Sequence, residues 1–313
     1  TAGKLYGWAN NADIYAIKIF DTDLYGVSAS FNLMRAWHNL KKNDRPTIVN
    51  MSWGYFGTYT NIVGGNWRGT TWTGTSAEAQ YGMVQRNLLG GLYTHPVRVT
   101  SVDSDIEDCI EAGMILVSAA GNAAHKMDLS TGLDYNNYWT SSTLGNRYYH
   151  QGGTPQASSN VICTGAIDYE YTLGQEKSAD FSEKGPRVDI FAPGYAIQAA
   201  IPSGADLDSS STTHPDNASY KIRKLQGTSM ASPQVCGILT QLLQARPYYT
   251  QADCLAWLQD QAVDSRLNDP TIGTPSTDYQ NFRALNGANN KYLQTPFVSG
   301  LKYNFTGGIS FTR

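Results

Sequence analysis

The chain of 313 residues has few charged residues, and neither sign is in strong excess. Lysines and arginines number 23 against 26 aspartates and glutamates, so the net charge is -3 and charged residues make up 16% of the chain. Nucleic-acid-binding domains usually carry a concentrated basic surface, so no nucleic acid is expected as a partner. No apolar run approaches the roughly 20 residues of a membrane-spanning helix, so no membrane is expected as a partner either.

Cysteine is also scarce, and no metal signature stands out. The four cysteines are far apart and show no CxxC or Cys/His pattern: Cys109, Cys163, Cys236 and Cys254. Three of them fall in apolar segments, which predicts small buried side chains and leaves the redox compartment undecided. The carboxylates Asp128, Asp134 and Asp189 do not form a recognisable oxygen-ligand loop. No cofactor and no metal ligand is therefore predicted from the residues.

The pattern of apolar segments is typical of an α/β protein with a parallel sheet. Strands are predicted over residues 13–20, 47–51, 114–118, 161–167 and 188–192. Helices are predicted over residues 28–40, about 105–112, 227–245 and about 250–263. The last of these helices starts at a threonine that can cap it. The Ser- and Asp-rich residues 203–219 are expected to form an exposed loop.

A serine at the start of the long apolar helix is the first catalytic candidate. Residues 227–233 read GTSMASP. A serine hydroxyl is a weak nucleophile unless a base accepts its proton and nearby donors stabilise the oxyanion that forms. The free N–H groups and positive dipole end of a helix meet the second need at Ser229. The alternative interpretation is that Thr228 or Ser229 only caps a core helix.

Two further segments have a chemistry that suits a protease. Asn122 follows a predicted strand, and its amide can donate to a developing oxyanion, although a Gly-Asn pair is also common in turns. The strand 48–51 ends in small residues whose backbone can pair with an extended peptide. That end is formed by Ser52, Trp53 and Gly54.

Taken in their order along the chain, the motifs resemble those of the subtilisin-like serine proteases (subtilases) over about residues 1–267. Residues 11–18 (NADIYAIK) are similar to the strand after the family's histidine helix. Phe181-Ser182, together with Gly185-Pro186 and residues 188–194 (VDIFAPG), resembles the segment before its serine. The resemblance implies a three-layer α/β fold, with a mainly parallel central sheet and helices on both faces. It also implies an endopeptidase that cleaves polypeptides through an acyl-enzyme on Ser229, with Asn122 in the oxyanion hole. The implied substrate-binding residues are Ser52, Trp53 and Gly54 on one wall and Ala119, Ala120 and Gly121 on the other.

The family's aspartate and histidine motifs are absent from these 313 residues. Asp-Ser/Thr-Gly and His-Gly-Thr-His should both precede the region that matches residues 13–20. We therefore expect the histidine and aspartate upstream of Thr1 or in another chain, so that an N-terminal fragment is a possible partner. The alternative is a replacement base among His38, His95, His125, His150 and His214. Without a base, the isolated chain is expected to be almost inactive.

Residues 1–267 are predicted to form the protease domain without its N-terminal part, and residues 268–313 a C-terminal extension. Insertions are predicted at about 55–103, 123–153 and 203–224, either as a rim of the cleft or as surface decoration. The family often binds calcium near the present N-terminus, but residues 3–10 carry no carboxylate and no site is identified.

The alternative function is a catalytically inactive subtilase-fold module with a binding or structural role, for example in a virus particle. An unrelated α/β hydrolase is less favoured, because Gly-x-Ser-x-Gly does not surround Ser229. The location stays open between secretion and a virus particle.

Overall fold

The computed structural model describes residues 2–3, 7–20, 26–74, 81–84, 87–88, 92–172, 175–201, 211–270 and 283–294. The helices in this part are α1 (Gly26–Leu40), α2 (Thr100–Glu111), α3 (Thr228–Ala245) and α4 (Gln251–Gln261). The strands up to the middle of the chain are β1 (Ile48–Met51), β2 (Phe56–Thr58), β3 (Ile62–Trp67), β4 (Thr70–Thr73), β5 (Asn87–Leu88), β6 (Leu92–Pro96), β7 (Ile115–Ala119), β8 (Tyr138–Ser141) and β9 (Gly145–Tyr148). The remaining strands are β10 (Ile162–Thr172), β11 (Gln175–Ser178), β12 (Ile190–Pro193), β13 (Ile197–Ile201), β14 (Thr212–His214), β15 (Asn217–Leu225), β16 (Val263–Asp264), β17 (Leu267–Asn268) and β18 (Lys291–Tyr292).

A mainly parallel sheet forms the centre of the described structure. Its main path runs β1-β7-β10-β12-β18-β16, and β11 joins β10 to β17 at the side. The pairs from β1 to β18 along this path are parallel, whereas β16 and β11 pair antiparallel with β18 and β10. Parallel neighbours need a long crossover, and the one from β1 to β7 contains α2.

Helices cover both faces of this sheet. Successive residues of a strand point to opposite faces, so neighbouring residues of β7 enter different cores. Ile115 packs with Leu239 of α3 in one core. Leu116 packs in the other core with Phe31 of α1 and Ile106 of α2. The expected three-layer α/β arrangement is thereby confirmed.

One predicted strand is not formed. Residues 13–20 belong to no strand, because a strand needs a hydrogen-bonded neighbour and none of the described strands runs beside them. Their apolar side chains remain open to solvent, with Ile14 72%, Tyr15 65% and Phe20 64% exposed. These apolar side chains therefore lie largely on the surface of the described structure.

Two other local predictions need correction. The second helix begins at Thr100, about five residues before the predicted start. In the predicted loop 203–219, residues 203–210 lie outside the described residues, and the rest contains β14 and the first three residues of β15. Thr212 and Thr213 in β14, and Tyr220 and Ile222 in β15, have side chains that favour strands, and the turn at Pro215-Asp216 joins the two strands into a hairpin.

The first two predicted insertions combine into one unit. β3 of the first insertion pairs with β8 of the second, placing Gly65 opposite Trp139. Trp72, Trp139 and Tyr149 are buried together in a cluster of their own. The positions at which the insertions begin and end remain predictions.

The described part of the predicted C-terminal extension lies within the main body. β18 inserts between β12 and β16 of the central sheet, and Leu285 and Leu293 are buried. The apolar contacts and backbone pairing of residues 283–294 thus complete this edge of the sheet. The aromatic and polar residues 301–305, predicted as a strand, lie outside the described residues.

The four cysteines are buried and unpaired, as their apolar surroundings predict. Burial raises the pKa of Cys109 to about 11 and that of Cys254 to about 12. These thiols therefore stay protonated at neutral pH and are poor nucleophiles. In the described ranges, no helix combines the length and the apolar character that a membrane crossing requires.

Candidate active site

Ser229 lies in the first turn of α3, directly after a tight turn. Gly227 precedes the helix with φ +145°, a backbone conformation that favours glycine, and its N–H donates to the carbonyl of Gly194 at 2.8 Å. A Cβ at Gly227 would lie 3.3 Å from Nδ2 of Asn122. The lack of a side chain at this position therefore lets Asn122 approach the start of the helix.

The orientation of Asn122 is determined by Thr228. Both the backbone N–H and the hydroxyl of Thr228 donate to Oδ1 of Asn122, each at 2.9 Å. The same hydroxyl accepts a hydrogen bond from the N–H of Gly121 at 3.0 Å. Because Oδ1 accepts both of these bonds, Nδ2 lies on the other side of the amide, toward the turn at Gly227. No described residue accepts a hydrogen bond from that nitrogen.

The N–H groups at the start of α3 leave one donor for a ligand. Thr228 N donates to Asn122 Oδ1, and Met230 N donates to the carbonyl of Gly227 at 2.9 Å. Ser229 N lies between them and has no acceptor among the described residues. A helix start has unsatisfied N–H groups that suit a negatively charged oxygen. Ser229 N and Asn122 Nδ2 therefore provide two donors close to the Ser229 hydroxyl.

Ser52 connects the end of β1 to this serine. Its hydroxyl donates to the Ser229 carbonyl at 3.0 Å, and its own carbonyl accepts from Ser229 Oγ at 3.3 Å. The Ser229 carbonyl would normally accept from the N–H four residues later, but Pro233 has none. Ser52 thus supplies the donor that the helix lacks.

Two more polar residues of this network were not predicted from the sequence. Asn50 donates from Nδ2 to Ser52 Oγ at 2.8 Å and accepts at Oδ1 from Ser232 Oγ at 2.8 Å. The available signal was a single amide inside the apolar run TIVNM. A polar group in such a run needs a hydrogen-bond partner, but the sequence does not identify it.

The residues predicted for the first cleft wall occupy different surroundings. Ser52 contacts Ser229, whereas Trp53 is half-buried and packs edge-on against Tyr55, with ring centroids 5.8 Å apart. A Cβ added at Gly54 would collide with the amide of Gln156. Gln156 is therefore a neighbour of this wall that was not predicted from the sequence.

The second predicted wall contributes mainly backbone. The side chains of Ala119 and Ala120 are 3% and 0% exposed, and Ala120 N donates to the carbonyl of Thr164. Gly121, next in the chain, is held by Thr228 as described above. Any contact of Ala119 and Ala120 with a ligand would thus involve their main chain.

None of the five histidines contacts Ser229. Ser229 Oγ donates to the Ser52 carbonyl, and the remaining interactions of Ser229 involve no histidine. His125 and His150 are buried in the insertions and pair through Nε2 with the carbonyls of Thr94 and Gly82. The hypothesis of a replacement base is therefore not supported by the geometry of the described residues.

The carboxylates considered for a metal are paired with cations instead. Asp134 binds Arg68 and Lys126, and Asp189 binds Arg187 at 2.8 Å. Within the described ranges, no three His, Cys, Asp or Glu side chains are grouped so that they could hold a metal ion. The absence of a carboxylate from residues 3–10 also does not fit a calcium site there.

The amino-acid sequence is similar, at low identity, to those of curated proteins. The chain is 26% identical over 286 residues to subtilisin-like proteinase Mp1 of Magnaporthiopsis poae, covering 91% of this chain and 51% of that protein. It is 26% identical over 316 residues to subtilisin-like protease 8 of Arthroderma benhamiae, covering 99% of this chain and 50% of that protein. The chain thus spans about half the length of the curated relatives it matches.

Two different comparisons support the fold and the family of the chain. A crystal structure of a cold-adapted subtilisin-like serine proteinase superposes with a TM-score of 0.56 at 18% identity, over 95% of this chain and 72% of the other. That likeness shows the same fold. The sequence model of the subtilase family matches residues 1–292. The chain therefore belongs to the subtilase family.

Proposed function

We propose that the chain is the serine-bearing part of a subtilisin-type serine endopeptidase, with Ser229 as the nucleophile. The observation that carries the proposal is the pair of donors beside Ser229. Thr228 holds Asn122 by its oxygen, so the amide nitrogen is available next to the free N–H of Ser229. A residue that only capped the helix would not need a second, oriented donor from another loop.

The mechanism that this geometry supports is acyl transfer. A base takes the proton from Ser229 Oγ, which attacks the carbonyl carbon of a peptide bond. The negative oxygen of the tetrahedral intermediate accepts hydrogen bonds from Asn122 Nδ2 and Ser229 N. The protonated base gives its proton to the leaving amine, and an acyl-enzyme on Ser229 remains. Water, deprotonated by the same base, then releases the acyl group.

The base and its acidic partner must come from outside these 313 residues in this proposal. An open surface next to the site supports it. Phe20 is 64% exposed and lies with its ring centroid 6.1 Å from that of Trp53, beside the site. In the same segment, Tyr15 is 65% exposed and packs edge-on against Trp37 of α1, itself 51% exposed, with ring centroids 4.0 Å apart. Large apolar side chains gathered in this way are usually covered by another polypeptide.

The edge strand β1 of the central sheet offers a second argument for an added polypeptide next to Ser229. In the described structure, β1 pairs only with β7. The other side of β1 is therefore an edge of the central sheet to which a further strand could pair. A strand added there would run beside Asn50 and Ser52, which contact α3 at Ser232 and Ser229 respectively. We propose that a polypeptide carrying the histidine and aspartate, either upstream of Thr1 or in another chain, adds to this edge.

The second candidate is a catalytically inactive subtilase-fold module. The observation that favours it is that Ser229 Oγ hydrogen-bonds a carbonyl and contacts no base among the described residues. In that case the oriented amide of Asn122 would serve only to hold the start of α3.

Reaction with a fluorophosphonate probe distinguishes the two candidates. In protein purified from its native source, we expect Ser229 to be labelled, because the probe reacts with an activated serine and needs the base. The 313-residue chain produced alone should react no faster than heat-denatured protein. Peptide mass mapping locates the label, and native mass spectrometry shows whether the labelled species contains additional polypeptide.

Three variants act as controls. Ser229→Ala should abolish labelling, whereas Ser219→Ala, on the exposed hairpin, should leave it unchanged. Asn122→Ala should slow labelling about 100-fold or more, the size of effect known for the oxyanion asparagine of subtilisin. Folded native material that stays unlabelled, while subtilisin reacts under the same conditions, would favour the inactive module.

A further inference from the structure

A loop from another part of the chain runs beside the segment that carries Asn122. The N–H of Glu183 donates to the carbonyl of Gly121 at 3.0 Å. Further along, Ala124 N donates to the carbonyl of Phe181, and Lys184 N to the carbonyl of His125, both at 3.0 Å. The position of residues 121–125 therefore depends on residues 181–184.

The side chain of Glu183 lies directly against Gly121. A Cβ added at Gly121 would collide with the Glu183 carboxyl, so the carboxyl occupies the space that a side chain would fill. Glu183 is only 6% exposed, and no described donor forms a hydrogen bond with its carboxyl. Buried Asp134 and half-buried Asp189, in contrast, are both held by cations. An ionised carboxylate in such a place is costly, so the acid tends to remain protonated.

The charged and titratable groups around this carboxyl do not remove that cost. Burial raises the pKa of Glu183 to about 8, although the neighbouring Lys184 acts to lower it. On β10, Cys163 interacts with Glu183 but is itself a protonated thiol, because burial raises its pKa strongly. On the facing segment, His125 is buried and neutral.

Two further cations, Lys126 next to His125 and Arg187 four residues after Glu183, are already paired with other carboxylates. Lys126 lies 2.7 Å from Asp134, and Arg187 lies 2.8 Å from Asp189. Each of these cations therefore has a carboxylate of its own, and neither is needed to neutralise Glu183.

We propose that Glu183 is a positioning residue for the oxyanion donor Asn122, and that it performs this role as a neutral acid packed on Gly121. The catalytic part of this inference rests on the proposed function above. The N–H of Gly121 donates to Thr228 Oγ1, which in turn holds Asn122 Oδ1. Two successive hydrogen bonds, through Thr228 Oγ1, thus connect the backbone of Gly121 to the side-chain amide of Asn122.

Ionisation of Glu183 should disturb this arrangement for two reasons. A buried carboxylate without a donor attracts water or turns outward, and either change removes the packing on Gly121. The negative charge would lie against Gly121, the neighbour of Asn122 in the chain, and would also oppose the negative charge that develops on the oxyanion. Deprotonation is therefore expected to weaken the oxyanion site while the rest of the fold persists.

Direct titration of the full chain tests the proposal without requiring activity. The chain contains six glutamates, so labelling them with 13C at the carboxyl carbon gives few signals to resolve. Between pH 6 and 9.5 we expect one of them to titrate with a midpoint near 8 and to disappear in Glu183→Gln. The backbone N–H of Gly121 and the side-chain amide of Asn122 should shift with the same midpoint. In Glu183→Gln they should remain at their low-pH positions.

A matched variant and a second measurement complete the test. Glu170→Gln removes a partly exposed carboxylate that is paired with Lys177, and it should leave the transition at Gly121 intact. If native protein reacts with the fluorophosphonate, its rate should fall about 10-fold between pH 7.5 and 9.5 relative to Glu183→Gln. Titration of Glu183 below pH 6, or a transition at Gly121 that persists in Glu183→Gln, would overturn the proposal. Absence of labelling at every pH would contradict the proposed function, while the titration would still decide the role of Glu183.

Discussion

Replacing Asp134 by alanine is expected to lower the free energy of unfolding by about 3–5 kcal/mol. Asp134 is completely buried and lies 2.5 Å from Arg68 and 2.7 Å from Lys126. Its Oδ1 also accepts from Asn137 Nδ2 at 3.1 Å. Removing the carboxylate leaves two cations without their nearest counter-charge, and Asp128, 3.5 Å from Lys126, compensates only in part. Urea unfolding followed by tryptophan fluorescence measures the loss.

The size of this effect follows from the position of Asp134 between the two predicted insertions. Arg68 belongs to the first insertion and Asp134 to the second, so the ion pair joins segments that are 66 positions apart. Asp13→Ala is the matched control, because its pair with Arg45 is largely exposed. An exposed pair contributes less than about 1 kcal/mol. A loss below 1 kcal/mol for Asp134→Ala would show that the cluster is not essential to the joined unit.

Acid is expected to unfold the protein between about pH 6 and pH 4, because three histidines are buried in neutral form. Burial lowers the pKa of His95 and His150 to about 4 and that of His125 to about 3. Unfolded histidine titrates near pH 6.5, so below that pH the unfolded state binds protons that the folded state does not. The stability from these groups is therefore complete above pH 6.5 and is lost as the pH falls toward 4.

Each of these histidines should contribute on the order of 3 kcal/mol to this loss, since one pKa unit corresponds to about 1.4 kcal/mol. The contributions overlap, because His95 and His150 themselves help to lower the pKa of His125. The total loss is therefore smaller than their sum, but it is still a sizeable part of the stability of an ordinary domain, about 5–15 kcal/mol. Glu183 acts in the opposite direction. Because its pKa is raised, the stability it provides is lost as the pH rises from about 4.5 to 8. Glu183 therefore makes the fall of the free energy of unfolding in acid less steep, but does not reverse it.

Urea midpoints measured at pH 7, 6 and 5 test this expectation. Replacing His150 by glutamine should flatten the pH dependence, because glutamine cannot take up the proton. His214→Gln, on the hairpin outside the buried cluster, is the control and should retain the slope. Equal stability at pH 7 and pH 5 would contradict buried neutral histidines in this protein.

The helices that carry the site could be predicted because their signals are local. Thr250 caps α4 through a reciprocal pair of hydrogen bonds with Asp253, three residues away. Gly227 and the apolar run that follows it similarly mark the start of α3. Residues 13–20 show the limit of such signals, because their apolar pattern predicts a strand but cannot provide the neighbour that a strand requires.

The polar network of the site illustrates a second limit. Ser229 and Asn122 were predicted because each lies in a short motif with a chemical purpose. Thr228, which orients Asn122, is 106 positions from it, and Ser52 is 177 positions from Ser229. No periodicity or spacing in a single sequence indicates which distant hydroxyl will meet which amide.

The sequence by itself determined the α/β class, the main helices, the buried thiols and the two residues proposed for the chemistry. These features depend on periodicity, on caps and turns within a few residues, and on motifs whose chemistry can be named. Only the tertiary structure decided that the two insertions join through Asp134, that β18 enters the central sheet, and that Glu183 lies against Gly121. The physical reason is that each of these contacts forms when the packing of sheet, helices and loops brings distant polar and apolar groups together.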